Sequence, residues 1–496
     1  MSSSKEKGGD RKRGDVKIGD AELREFLKAQ RWFGDKGREL KRVQVTDTIP
    51  VQWPETDKKF AVARVAVTTD AGTTHYQLFL SDGVSGAGVP LQDALLDDDF
   101  RHGLAHAFAR GETFAAGRAR WIVQSESDRP LVVPASEEIR LASAEQSNSS
   151  LIIGNEAIVK LFRKLQRGVH PDVEVTRFLT VERRFLHTPV LLGTIHFADD
   201  EGVAVAGMLM ELVPGAMDAW RYALDCSRGY FEAPAGEDLP IPFEDESRAL
   251  GKVTRAMHEA LASGDPGSDF ERTSAEDGDV ARWAAGARRT IARACDAAQR
   301  ALDGRRLPGD RIADAQAIVD RRRAYLTRAE QLAADVNNDA GSNTRTHGDY
   351  HLGQVLRSSA HQFLVIDFEG EPMRSLEERR ERNSPLRDVA GMMRSLAYVA
   401  AVGSGLADLS AGDWRSRPIR ESRARRWEEC ARSSFFQGYF GGDAATRDLL
   451  PRSPNNAGRL IALFEAEKAF YELQYELDHR PGWAWIPMRG IAQLLA

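Results

Sequence analysis

Apolar and polar positions run in two rhythms along the chain, and the change of rhythm divides it. Residues 1–17 are charged and too polar to bury a core, so they are read as a disordered tail. Residues 21–30 repeat at helical spacing. Period-two runs follow at 43–49, 61–69 and 74–80, separated by Gly, Asp and Ser, and three strands are expected there. A helical run at 97–109 and a strand opening at Trp121 complete an N-terminal α+β module over residues 18–134. Short apolar strands at 151–153 and 157–162 then flank the turn Gly154-Asn155, and a buried strand at 203–213 ends at Pro214-Gly215, giving a β-rich lobe over 135–213. From 214 to 496 the rhythm is mainly helical. Residues 280–302 and 311–336 pattern as an amphipathic hairpin, a helix begins near Pro385, and another covers 461–479. The stretches 228–246 and 264–278, rich in Gly, Pro and acids, are expected to be loops.

Composition changes this picture by exclusion. The chain has 496 residues, with 68 basic and 74 acidic ones and a net charge of −6, so a nucleic-acid partner is not expected. Its three cysteines, Cys226, Cys295 and Cys430, form no CxxC pair, which argues against disulfides and a zinc site and fits a reducing cytoplasm. No run of eighteen apolar residues is present to span a membrane, and the amino terminus lacks the apolar region of a signal peptide.

The chemistry concentrates in two runs. Thr346-His347-Gly348-Asp349-Tyr350-His351-Leu352-Gly353-Gln354 places an acid on a tight loop and an amide five positions later. Gln362-Phe363-Leu364-Val365-Ile366-Asp367-Phe368-Glu369-Gly370-Glu371-Pro372 is a β-like run delivering a second carboxylate eighteen residues after Asp349. Phosphoryl transfer from ATP needs these groups: one carboxylate takes the proton of the attacking hydroxyl, while an amide and another carboxylate hold Mg²⁺ against the phosphates. An H-G-D tripeptide alone is an ordinary turn, but the joint spacing is not. Upstream, the polar loop containing Ser147, Asn148 and Ser149 could cover phosphates. Lys160 on an apolar strand needs a partner, and Glu174 near the start of the next helix could supply it. By position, the backbone around Met210 and Leu212 would meet adenine. Asp388, near a buried helix start, is expected to support the catalytic loop. On the 461–479 helix, Lys468, Tyr471, Glu472, Tyr475 and Glu476 share one face, suited to a polyhydroxylated ligand.

These residues together resemble the bacterial maltokinases of the aminoglycoside-phosphotransferase and eukaryotic-kinase-like superfamily. Arg31-Trp32-Phe33-Gly34-Asp35-Lys36-Gly37-Arg38 looks like the opening of that family's cap domain, and Ser384-Pro385-Leu386-Arg387-Asp388-Val389-Ala390-Gly391 also matches. The resemblance implies an α+β, bilobal kinase-like fold: a β-rich N-lobe and a mainly helical C-lobe behind an N-terminal α+β cap. It implies transfer of phosphate from ATP to maltose, giving maltose 1-phosphate for α-glucan and glycogen synthesis, with trehalose synthase as a possible partner. The chain would act as a monomer or homodimer. Asp349 would be the general base, Gln354, Asp367 and Glu369 the metal-site residues, and Lys160 with Glu174 the phosphate clamp. His351, Lys468, Tyr471, Glu472 and Tyr475 would face the sugar, and His347 would support the loop. Relatives with similar motifs act on glucosamine, so an amino sugar or aminoglycoside acceptor is the alternative. Tyr471 and Tyr475 beside Lys468 suit a neutral sugar better.

Overall fold

A computed structural model of the chain describes residues 19–81, 91–127, 131–142, 148–234, 237, 239–336, 338–371, 374–406, 417–441 and 448–495. The tail 1–17 and Ser147 lie outside these residues. The chain forms two compact units, one of residues 1–174 and 190–214, the other of 175–189 and 215–496.

The first unit opens with helix α1 (Asp20–Ala29) and the strands β1 (Arg42–Gln52), β2 (Lys59–Thr69) and β3 (Gly72–Ser81). Helix α2 (Asp98–Arg110) follows, with the Asp97 side chain accepting from the Asp99 N–H at its start and Gly111 in the left-handed conformation at its end. Then come β4 (Thr113–Ala116), β5 (Ala119–Ser125), β6 (Ile139–Leu141), β7 (Asn148–Ile153), β8 (Ala157–Phe162), β9 (Lys164–Leu165), the start of helix α3 (Pro171–Arg177), β10 (Leu191–Asp199) and β11 (Gly202–Glu211). Among the described residues these make a four-stranded sheet, β1-β2-β3-β9, and a seven-stranded sheet, β4-β5-β10-β11-β8-β7-β6.

The second sheet corrects the expected boundary at residue 134. Strand β5 pairs antiparallel with β10, from Gly193 opposite Ser125 to Ala198 opposite Arg120. One core also joins Trp53, Phe60, Phe79, Phe100 and Phe108 to Trp121, Val159, Leu161 and Ile195. This shared core and sheet place the two stretches in one compact unit. Buried Arg163 reinforces the join: its guanidinium bonds Asp93 and, at 2.8 Å, the Ser149 hydroxyl, and it lies over the Trp32 ring.

The second unit contains β12 (Met217–Asp218), α4 (Ala219–Glu232), α5 (Glu244–Leu261), β13 (Thr273–Ser274), α6 (Asp277–Asp303), α7 (Ile312–Asp320), α8 (Arg322–Ala334), β14 (Ser342–Asn343), β15 (Val355–Arg357), β16 (Phe363–Val365), α9 (Leu376–Arg380), α10 (Leu386–Gly403), α11 (Arg417–Phe440), α12 (Pro454–His479) and α13 (Trp485–Gln493). Helices α4 and α5 take the two ends of the expected loop 228–246, residues 228–232 and 244–246. The second arm of the expected hairpin is broken at Arg321 into α7 and α8. Helix α10 is buried on nearly every side, from Leu386 through Ala401, and so forms the unit's axis. Strands β12, β15 and β16 form a small sheet carrying the two motif runs. No helix among the described residues is long and apolar enough to cross a membrane.

Candidate active site

The loop Thr346–Gln354 is held from beneath by α10. Gly391 on that helix lets the loop approach: a Cβ there would sit 2.6 Å from the Tyr350 carbonyl oxygen. Asp388, fully buried, accepts from the His347 N–H at 2.7 Å, the Gly348 N–H at 3.0 Å and His258 Nε2 at 3.1 Å. These donors hold its carboxyl below the usual range against the opposing effect of burial. Tyr439 backs His258, its hydroxyl 2.8 Å from Nδ1. Gly348 turns the chain with φ +84°, presenting the next side chain, Asp349. His347 donates from Nε2 to the Ile366 carbonyl at 2.9 Å and accepts the Asp349 N–H at Nδ1 at 3.3 Å, which ties the two motif runs together. Asp388 and His347 thus both bond to the backbone of the motif runs.

Asp349 does not stand alone. Lys468 on α12 donates to its Oδ1 at 3.0 Å and to Glu371 Oε1 at 3.0 Å. Arg374 holds the other Glu371 oxygen at 2.7 Å. Burial would raise the Asp349 carboxyl, but the Lys468 ammonium overrides it and holds the group at about 2. The same ammonium, with Arg374, lowers Glu371 despite burial, and the two carboxylates raise Lys468 well above an ordinary lysine. His351 Nε2 lies 4.0 Å from the other Asp349 oxygen, and its Nδ1 accepts the Gly353 N–H at 3.0 Å. Burial lowers the His351 imidazole, so Nε2 keeps its hydrogen toward Asp349 in the neutral ring.

Gln354 and Asp367 meet directly: the amide donates to Oδ2 at 2.7 Å. Asp367 holds φ +68°, a conformation uncommon outside glycine, which turns its side chain out of the strand end. Carboxylate oxygens of Asp367 and Glu369 lie within 4.8 Å of each other. An all-oxygen set of this kind fits a hard cation such as Mg²⁺.

Beside Asp349 opens a cavity whose lining includes Glu371, Arg374, Arg387, Glu467, Lys468 and Tyr471. The expected sugar face of α12 only partly reaches it. Lys468 does, but as the partner of Asp349, and Tyr471 lies beside it, 4.9 Å from the ammonium. Glu472 does not: Arg394 of α10 takes one of its oxygens at 2.8 and 2.9 Å. Tyr475 instead stacks on His479 at 4.5 Å and is 41% exposed. Glu371, Arg374 and the Arg387–Glu467 pair at 2.9 Å were not singled out from sequence. The signal for Glu371 was the last acid of the D-F-E-G-E run.

In the first unit Lys160 pairs with Asp172 at 2.9 Å. Asp172 sits in the first turn of α3, two positions before Glu174, and is 1% exposed. Ser149 is buried against Arg163, and Asn148 begins β7. Near the end of β11, the Leu212 N–H donates to the Glu156 carbonyl at 2.9 Å, so that amide is already spent. Met210 lies within the strand, opposite Ile158.

The family model for the maltokinase N-terminal cap domain matches residues 26–88. A glucosamine kinase of Streptacidiphilus jiangxiensis is 26% identical over 71% of this chain and 72% of its own length. One from Mycolicibacterium smegmatis is 28% identical over 72% and 79%. A solved structure of glucosamine kinase with glucosamine, ADP and inorganic phosphate superposes with a TM-score of 0.65 at 22% identity, covering 95% of this chain and 99% of that one. Cap, relatives and fold agree on a maltokinase-like protein that is an ATP-dependent phosphotransferase.

Proposed function

We propose that this protein is an ATP-dependent sugar kinase whose acceptor is glucosamine, with Asp349 receiving the proton of the attacking hydroxyl. The observation that carries the transfer chemistry is Asp349 at the wall of the cavity, fixed by Lys468 and, through Asp388, by the buried loop network. A carboxylate held at about 2 is a weak base but is ionised at any working pH. That suffices for a loose phosphoryl-transfer transition state, in which the hydroxyl needs a fixed acceptor and gives up its proton late. Lys468 keeps the carboxylate aimed, and its charge also opposes the negative charge on the transferring group. Gln354, Asp367 and Glu369 would hold Mg²⁺, which when bound neutralises phosphate charge. Lys160, oriented by Asp172, would contact the nucleotide phosphates.

The acceptor is argued from charge. The cavity lining contains six acids, Asp349, Glu371, Glu378, Glu381, Asp388 and Glu467, against the four bases Arg374, Arg379, Arg387 and Lys468. That excess favours a protonated amino sugar over a neutral one. The aromatic support for a neutral sugar is weaker than the sequence suggests, because Tyr475 turns away to His479. Maltose remains the second reading, favoured by the cap match at residues 26–88.

The test is ADP release by the purified protein with ATP and Mg²⁺ on glucosamine, maltose, glucose and kanamycin, with ³¹P NMR of the product. Turnover on glucosamine is expected. An anomeric phosphate formed only from maltose would refute the charge argument and favour the second reading. Silence on every sugar would refute the sugar-kinase reading.

A further inference from the structure

A second cavity in the unit of residues 175–189 and 215–496 shares no lining residue with the one at Asp349. Its volume is about 320 Å³, within the range of small-molecule sites. Four arginines line it: Arg311 just before α7, Arg321 at the α7–α8 break, Arg417 opening α11, and Arg489 on α13. Against them stand two carboxylates, Asp314 and Glu421, the latter 4.0 Å from Arg417. Among the described residues the formal excess is two positive charges.

The remaining wall is apolar and aromatic, including Ile318, Tyr325, Leu406, Trp485 and Met488. Trp485 is 7% exposed, and its indole N–H is buried with no hydrogen-bond partner among the described residues. A buried donor left unmade is costly, and an indole N–H can be satisfied only by an acceptor. Arginine-lined walls, an unmet donor and an apolar floor together describe a receptor for an anion with a carbon skeleton. Guanidinium forks match the geometry of phosphate oxygens, and an excess of two charges matches a phosphomonoester dianion.

We infer that this cavity binds a small organic phosphomonoester, with the arginines on the phosphate oxygens and the Trp485 N–H donating to an oxygen of the ligand. The site lies apart from Asp349, so binding here is an event additional to catalysis and does not depend on which sugar is phosphorylated.

Isothermal titration of the full chain with glucose 6-phosphate, inorganic phosphate and glucose tests the inference. Glucose 6-phosphate should bind, and more tightly than either other titrant. Arg321→Gln combined with Arg489→Gln should weaken it at least about tenfold, while Lys468→Met in the other cavity should leave the affinity unchanged. If the double variant fails to fold, Trp485→Phe takes its place. It keeps the aromatic wall and removes the N–H, so it should weaken binding measurably. Three results would each overturn the inference: no binding of glucose 6-phosphate, binding unmoved by the arginine or tryptophan changes, or binding lost in Lys468→Met. Equal affinity for inorganic phosphate would overturn the assignment to an organic ester.

Discussion

Removing the Lys468 ammonium should turn Asp349 from a stabilising group into a destabilising one at neutral pH. In the native protein the carboxyl falls from 3.8 to about 2 on folding, worth about 2 kcal/mol. A depressed carboxylate stabilises above its unfolded value, and that contribution disappears as pH falls from about 4 through about 2. Lys468→Met removes the largest opposing charge, so burial pushes Asp349 upward against only His351 and His347, and Glu371 upward against Arg374. The variant is therefore penalised at pH 7 and relieved as it takes up protons on acidification. The gap between native and variant protein should be at least about 2 kcal/mol at pH 7 and should narrow toward pH 4. Calorimetry should show this as a melting difference of roughly 4 °C or more in the unit carrying Asp349, shrinking with pH. A gap of constant size from pH 7 to pH 4 would show that Lys468 contributes by packing, and the electrostatic reasoning would fail.

Asp349→Asn should lower turnover by roughly 10² to 10⁴-fold while the dissociation constant of ATP, measured by titration, stays near the native value. Asp388→Ala leaves the His347 and Gly348 amides and His258 without their acceptor. Denaturant unfolding should show a loss of roughly 3–5 kcal/mol. Gln354→Leu should raise the Mg²⁺ concentration for half-maximal rate in a metal titration, because the amide oxygen is lost beside Asp367. Glu472→Gln should lower the melting temperature by weakening the pair with buried Arg394, yet leave KM for the sugar nearly unchanged. A large KM change would return Glu472 to the sugar site.

Spacing carried the reading furthest where chemistry and chain distance are coupled. Asp349, Gln354 and Asp367 lie within one short hairpin, so a local pattern was enough to bring the amide and the second acid together. Strands β8 and β11 were legible because unbroken apolar runs bounded by Gly and Pro have few other uses. The pairing of Lys468 with Asp349 was not legible, since 119 residues separate them and a lysine on a helix face carries no sign of what it meets. Asp172 was not singled out for a related reason: sequence shows two acids in one helical turn but not how deeply either is buried. Helices α5 and α11 were missed. The mostly polar face of α11 hides an apolar stripe of Trp427, Ala431, Phe435 and Tyr439 until α5 is packed against it.

The shared sheet of the first unit gives the N-terminal residues a protective task. Strand β5 occupies the flank of β10 from Gly193 to Ala198, in a stretch rich in buried side chains. A shortened protein beginning at residue 135 would uncover that flank, leaving a row of amide hydrogens and carbonyl oxygens facing outward along an apolar strand. Such a margin is a template on which another molecule of the same protein can dock strand to strand. Residues 113–125 thus act as a guard against self-association.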